Sequence, residues 1–112
     1  MSHWQTLYQE KLKSADEVAS WVKDGDHVEY SPFVTIPWDL DAALARRKDE
    51  LHKVFVRCTT LMWVPEVFKA DPQGETFLLC DGSFSAVTRK LKSKGELYIN
   101  PCLYHEAPML YT

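Results

Sequence analysis

Glycine is scarce in this chain of 112 residues: Gly25, Gly74, Gly82 and Gly95 are the whole supply, and each stands alone. A G-x-G-x-x-G or Walker-type loop needs clustered glycines so that backbone can approach phosphate, so a nucleotide cradle of that kind is excluded. Cysteine is as sparse, with Cys58, Cys80 and Cys102 odd in number and no C-x-x-C pair. Neither a zinc site nor a disulfide framework is indicated, and the setting reads as reducing and cytoplasmic. Each cysteine falls in or just after an apolar run, where a free thiol acts as a small hydrophobe. The histidines, His3, His27, His52 and His105, show neither H-x-x-H nor H-E-x-x-H spacing, so no helical metal motif is present and no metal is expected. No G-x-S-x-G elbow exposes a nucleophile. Net charge is −3 with no basic stripe, which argues against nucleic acid as a partner. The apolar runs are too short to cross a membrane, and no signal-peptide pattern opens the chain.

What the chain does have is a regular alternation of apolar patterns. Trp4, Leu7, Tyr8, Lys11 and Leu12 recur at i, i+3, i+4, predicting an N-terminal helix with one apolar face. Ser14 and Glu17 form a capping box for a second short helix carrying Ala15, Val18, Ala19 and Val22, ended by Asp24-Gly25-Asp26. His27 to Ser31 reads as a strand, and a loop with Pro32 and Pro37 leads into a third helix with Leu40, Ala43 and Leu44 buried. That helix closes on Arg46-Arg47-Lys48, a solvated last turn at the negative pole of the helix dipole. Lys53 to Cys58 alternates as a second strand. Thr59 to Gly74 is broken by Pro65 and Pro72 and reads as a long loop with one helical turn. Thr76 to Cys80 is a third strand. Ser83 is the expected N-cap of a helix from Phe84 to Lys92, and Leu97 to Asn100 is a fourth strand. The fold class predicted is α/β, a layered open sheet of βαβ units in one domain with a modest core.

Open α/β sheets bind ligands beyond the carboxyl ends of their strands. Phe33, Trp38 and Trp63, with Met62 and Pro65, gather in those loops. Two readings are open: the aromatics cap the core, or they wall a pocket for an acyl chain or another apolar ligand. In the second, Ser31, Thr35, Thr59, Thr60 and Ser85 supply polar anchors.

The segments LYQEKLKSADEVASWVKDGDHVEY, DLDAALARRKDEL and LMWVPEVF carry more. With FSAVTRK and the closing Pro101, Tyr104, Glu106 and Pro108, they follow one another in a familiar order. They resemble the N-terminal part of the acetyl-CoA hydrolase/transferase family, the glutamate-dependent family I CoA-transferases, and within it the butyryl-CoA:acetate CoA-transferase subgroup. The resemblance covers essentially the whole chain. It implies the N-terminal half of the CoA-transferase fold, coenzyme A as a substrate, and ping-pong transfer between a short-chain acyl-CoA and a carboxylate. In that chemistry a glutamate carboxylate attacks the thioester, giving an enzyme acyl anhydride and then an enzyme–CoA thioester, with oxyanions held by backbone N–H groups.

The resemblance also implies that the nucleophile and the glycine-rich CoA-contacting motif belong to a second half. Glu29, Glu66 and Glu106 lack the surroundings of that motif, so no catalytic residue is assigned. Carried over instead is a substrate pocket of Ser31, Phe33, Val34, Thr35, Thr59, Trp63 and Ser85. Relatives tend to have glycine in the loop after the first strand, where this chain has Ser31-Pro32-Phe33; substrate fit is expected to differ accordingly.

Two functional classes stand. The first is an N-terminal fragment of a CoA-transferase, cytoplasmic, inactive alone and completed by the missing C-terminal half. The second is a free-standing α/β small-ligand binding or interaction module. The apolar ending Met109, Leu110, Tyr111 favours the first, and residues 1–112 are expected to be a partial domain. An incomplete sheet leaves an edge and apolar surface uncovered, so a homo-oligomer is expected.

Overall fold

The structure is a computed structural model that describes residues 2–110. Its centre is a four-stranded sheet of β1 (His27–Glu29), β2 (Val54–Cys58), β3 (Phe77–Asp81) and β4 (Tyr98–Ile99). The spatial order follows the chain order, and every neighbouring pair is parallel. Five helices accompany it: α1 (His3–Lys11), α2 (Ala15–Ala19), α3 (Trp38–Ala45), α4 (Glu66–Ala70) and α5 (Ala86–Lys92), followed by a 3₁₀ segment, Tyr104–Leu110. Strands laid down in sequence order by crossovers of one hand put all their helices on the same side. The packing agrees. Val54, Val56, Cys58, Phe77 and Leu79 point inward against Leu44 of α3, Val67 and Phe68 of α4 and Leu91 of α5.

The opposite face carries no buried residue among those described. Register places two rows across it, His27–Phe55–Leu78 and Glu29–Arg57–Cys80–Tyr98. Phe55 is 41% exposed and Tyr98 58%. α1 is uncovered too: its Ser2–Gln5 capping box forms, yet it buries none of its residues and Trp4 is 74% exposed. No helix among the described residues is long and apolar enough to cross a membrane.

Buried aspartates tie the helical layer to the sheet. Asp41, fully buried, accepts from the Tyr30 hydroxyl (2.8 Å) and from the N–H groups of Glu66 (2.7 Å) and Val67 (3.3 Å). It caps α4 from another helix, because Pro65 at the N-cap has no side-chain acceptor to offer. Asp71 accepts from Thr76 N–H (2.7 Å) and Phe77 N–H (2.9 Å), fixing the entry to β3. Asp81 ends β3 and accepts from Leu61 N–H (3.2 Å), Ser83 N–H (3.2 Å) and the Thr88 hydroxyl.

Several expectations change at this level. α2 ends at Ala19, so Val22 lies beyond it in the turn. The N-cap of α5 is Ser85, whose hydroxyl accepts from Thr88 N–H, because Ser83 is drawn instead to Asp81 and to the Thr60 hydroxyl (2.9 Å). The basic cluster is not simply solvated. Arg47 donates to the carbonyls of Ala19 and Val22 and pairs with Glu50 (3.0 Å), closing the open end of α2, while Arg46 pairs with Asp16. Of the closing apolar residues, Met109 is exposed, while Tyr111 and the Leu110 side chain lie outside what is described.

Candidate functional site

The carboxyl ends of β1, β2 and β3 open together into loops 30–37, 59–65 and 82–85, and the 3₁₀ segment returns over them. Between them runs one groove in two compartments. The wider, about 450 Å³, is lined by Glu29, Tyr30, Ser31, Pro32, Thr59, Tyr104, Ala107 and Pro108. The narrower, about 220 Å³, shares Pro32, Thr59, Tyr104 and Ala107 with it and adds Phe33, Arg57, Thr60, Gly82, Ser83 and Cys102. Apolar walls carry a scatter of polar groups: hydroxyls from Ser31, Thr59, Thr60, Ser83 and Tyr104, the Glu29 carboxylate and the Arg57 guanidinium beside it. That composition suits a small organic ligand with a single polar or anionic end.

Backbone conformation at the groove is unusual. Phe33 has φ +56° and Thr60 φ +145°, both in the region that favours glycine. Held there, Phe33 turns its ring to the groove wall and remains half exposed. A glycine at this position would take the turn without steric conflict; Phe33 takes it with a side chain and adds a ring to the wall.

The sequence-derived pocket residues divide. Ser31, Phe33 and Thr59 line the groove. Thr35 closes a turn by donating its hydroxyl to the Pro32 carbonyl (2.7 Å), and Val34 points to solvent. Ser85 is engaged with the α5 N-terminus and donates to the Leu61 carbonyl (2.8 Å). Trp63 lies against Tyr30 (6.5 Å between ring centroids) and Trp38 (5.4 Å), with its indole nitrogen buried and without a protein acceptor. The aromatic group thus splits: Trp63 packs on the core with the exposed Trp38 against its ring, whereas Phe33 walls the groove.

Arg57, Tyr30, Ser83, Cys102 and Tyr104 line the groove without having been singled out for it. Strand alternation could have placed Arg57 on the sheet's far side, but no local signal announces the return of Tyr104 from the end of the chain. Arg57 lies near Glu29, with Nε 3.9 Å from Oε2. Glu66 pairs with Lys69, and Glu106 accepts from Leu103 N–H (3.0 Å). Burial pushes the Tyr30 hydroxyl well above its ordinary pKa, with nearby Asp41 adding to the effect. Burial likewise raises the thiols of Cys58 and Cys80. Among the described residues no three His, Cys, Asp or Glu side chains are placed to hold a metal ion.

Comparisons with known proteins converge on one family. Residues 1–112 match the acetyl-CoA hydrolase/transferase N-terminal domain. The chain is 39% identical over 104 residues to the butyryl-CoA:acetate CoA-transferase of Anaerostipes caccae, covering 93% of this chain and 23% of that protein. It is 39% identical over 103 residues to a probable butyrate:acetyl-CoA coenzyme A-transferase of Syntrophomonas wolfei, covering 92% of this chain and 23% of that one. The chain therefore spans about a quarter of the length of the curated relatives it matches. In three dimensions it is similar to the crystal structure of RipA from Yersinia pestis, with TM-score 0.80, 22% identity, and 97% of this chain and 28% of that one covered. The last likeness establishes the fold.

Proposed function

The chain belongs to the acetyl-CoA hydrolase/transferase family, as its N-terminal domain, and from that premise we propose that it supplies the first quarter of an acyl-CoA:carboxylate CoA-transferase. The pair exchanged is of the butyryl-CoA/acetyl-CoA:acetate type, with coenzyme A as the group transferred. The working form is a cytoplasmic homo-oligomer, and the chain acts with the polypeptide that carries the glutamate nucleophile and the CoA-contacting motif.

The observation that supports this most is the strand-end groove. Its apolar walls suit an acyl group, and its hydroxyls are donors of the kind a thioester carbonyl or a free carboxylate needs. Thr59, common to both compartments, is the central anchor, with Ser31 beside it and Phe33 setting the depth available to the acyl chain. Pro32, Ala107 and Pro108 supply an apolar wall for the acyl chain.

The test is a chimera in which this chain replaces the matching quarter of the Anaerostipes caccae enzyme. Butyryl-CoA:acetate transfer within about tenfold of the parent is expected, with Thr59→Val raising KM for the acyl donor. A folded but inert chimera would overturn the reading in favour of a small-ligand binding or interaction module.

A further inference from the structure

Two loops flank the narrow compartment of the groove, one after β2 and one after β3, and a single buried carboxylate holds both. Asp81 accepts from Leu61 N–H (3.2 Å) and from Ser83 N–H (3.2 Å), and Ser85 adds a second tie by donating to the Leu61 carbonyl (2.8 Å). Pinned in this way, Thr60 sits at φ +145°. Such a conformation is costly for a β-branched residue and persists where neighbours over-determine it; strain of this kind gathers at ligand sites. Each hydroxyl owns one proton. The Ser83 proton goes to Thr60 Oγ1 (2.9 Å), and among the described residues the Thr60 proton meets no acceptor. A hydroxyl that already accepts one hydrogen bond is a stronger donor for the next, and Thr60 lines the compartment.

Charge gives the groove a direction. Glu29 lines the wide compartment and not the narrow one, whereas Arg57 lines the narrow compartment and not the wide one. The two side chains stand 3.9 Å apart, so the sign of the nearer charge changes from one compartment to the next. An anion is repelled at the wide end and drawn to the narrow end, toward the Thr60 proton. An uncharged hydrocarbon chain meets no such bias and suits the wall of Pro32, Ala107 and Pro108. We infer that the narrow compartment is a carboxylate subsite, with Thr60 donating to one carboxylate oxygen and Arg57 balancing the charge. Ser83 is the positioning residue that aims the Thr60 hydroxyl, and Glu29 keeps the hydrocarbon end of the ligand in the wide compartment. The inference rests on the CoA-transferase reading for the class of acid, a short monocarboxylate, and adds which residues seat it and which way round it lies.

The probes are sodium butyrate and its uncharged isostere butyramide, titrated into the 112-residue chain and followed by backbone amide chemical shifts. Butyrate is expected to bind about tenfold tighter than butyramide, the margin a hydrogen bond to a charged group supplies, with the largest shifts at Thr60 and Ser83. Thr60→Val should remove most of that margin, and Thr60→Ser, which keeps the proton, should retain it. Ser83→Ala leaves the backbone N–H on Asp81, so the melting temperature should hold while butyrate weakens several-fold; a merely structural serine would not separate the two. Glu29→Gln should tighten butyrate and leave butyramide unchanged. Equal affinities for the two probes, or a Thr60→Val chain that binds butyrate as the parent does, would overturn the inference. Butyrate held through Thr60 by a chain whose Anaerostipes caccae chimera is inert would keep the subsite and remove the functional reading. An active chimera, with butyrate binding indifferent to Thr60→Val, would do the reverse.

Discussion

The two faces of this sheet are made by the same strands, residue by residue in alternation, yet they differ in burial and partners. On one, Val54, Val56, Cys58, Phe77 and Leu79 are sealed beneath α3, α4 and α5, and buried aspartates knit the loops to the layer. On the other, Phe55 and Tyr98 meet solvent. The contrast teaches that stability and function are segregated. The covered face holds the chain together, and the candidate groove lies beyond the strand ends, outside that packed layer.

The comparison can be broken most sharply at the aspartates. Asp41→Ala strands two buried N–H groups and the Tyr30 hydroxyl, and Asp81→Ala strands two N–H groups and the Thr88 hydroxyl. Each is expected to cost about 3 kcal/mol or more, a large share of the 5 to 15 kcal/mol typical of a domain, roughly; urea denaturation of both variants measures it. Next comes a pair across one strand junction. Leu79→Ala on the covered face should cost about 3 kcal/mol, whereas Phe55→Ala, half in water already, should cost under about 1 kcal/mol in the isolated chain. Equal losses would erase the distinction between the faces.

Alkaline pH sharpens the same contrast without mutation. Tyr30 and Cys58, both on the covered side, have pKa values raised by burial. Their protonated forms are favoured by folding, so their contribution is complete below the unfolded-state values of about 9 for cysteine and about 10 for tyrosine. It falls as pH rises above them. Thermal melts from pH 8 to 11 should show stability declining from about pH 9, and Tyr30→Phe should flatten the upper part of that decline.

Smaller effects belong to the groove and the surface. Phe33→Gly removes a left-handed conformation that costs a bulky residue about 1 kcal/mol or more, partly offset by backbone entropy, so a gain of at most about 1 kcal/mol is expected. The same change opens the groove, and in the chimera it should broaden acyl-chain acceptance. Asp16→Ala, which deletes the exposed pair with Arg46, should shift stability by less than about 0.5 kcal/mol.

Most of the fold is legible in the sequence because its signals are local. The S-x-x-E box at Ser14, the alternation in KVFVRC and the turn at Asp81-Gly82 each declare an element within a few residues. The helical turn between Pro65 and Pro72 appears as α4. What is not legible is whatever depends on distant partners. Asp39 and Asp41 stand in the same helix with the same chemistry, and only the tertiary approach of α4 makes one a buried cap and leaves the other in water. Ser83 is the expected cap of α5, but its contacts with Asp81 and Thr60 leave that role to Ser85. The groove is half legible for the same reason: Ser31, Phe33 and Thr59 follow strand ends, whereas Trp63 and Ser85, equally close in sequence, are drawn into the core and a helix cap.

The most direct measurement is the intact mass of the native polypeptide that carries this sequence, taken from its source. A chain about four times as long, with a glutamate in the family's catalytic motif beyond the matched quarter, is the result expected. A native mass equal to that of these 112 residues, with no second polypeptide bound, would contradict it, since the chemistry would then have no nucleophile.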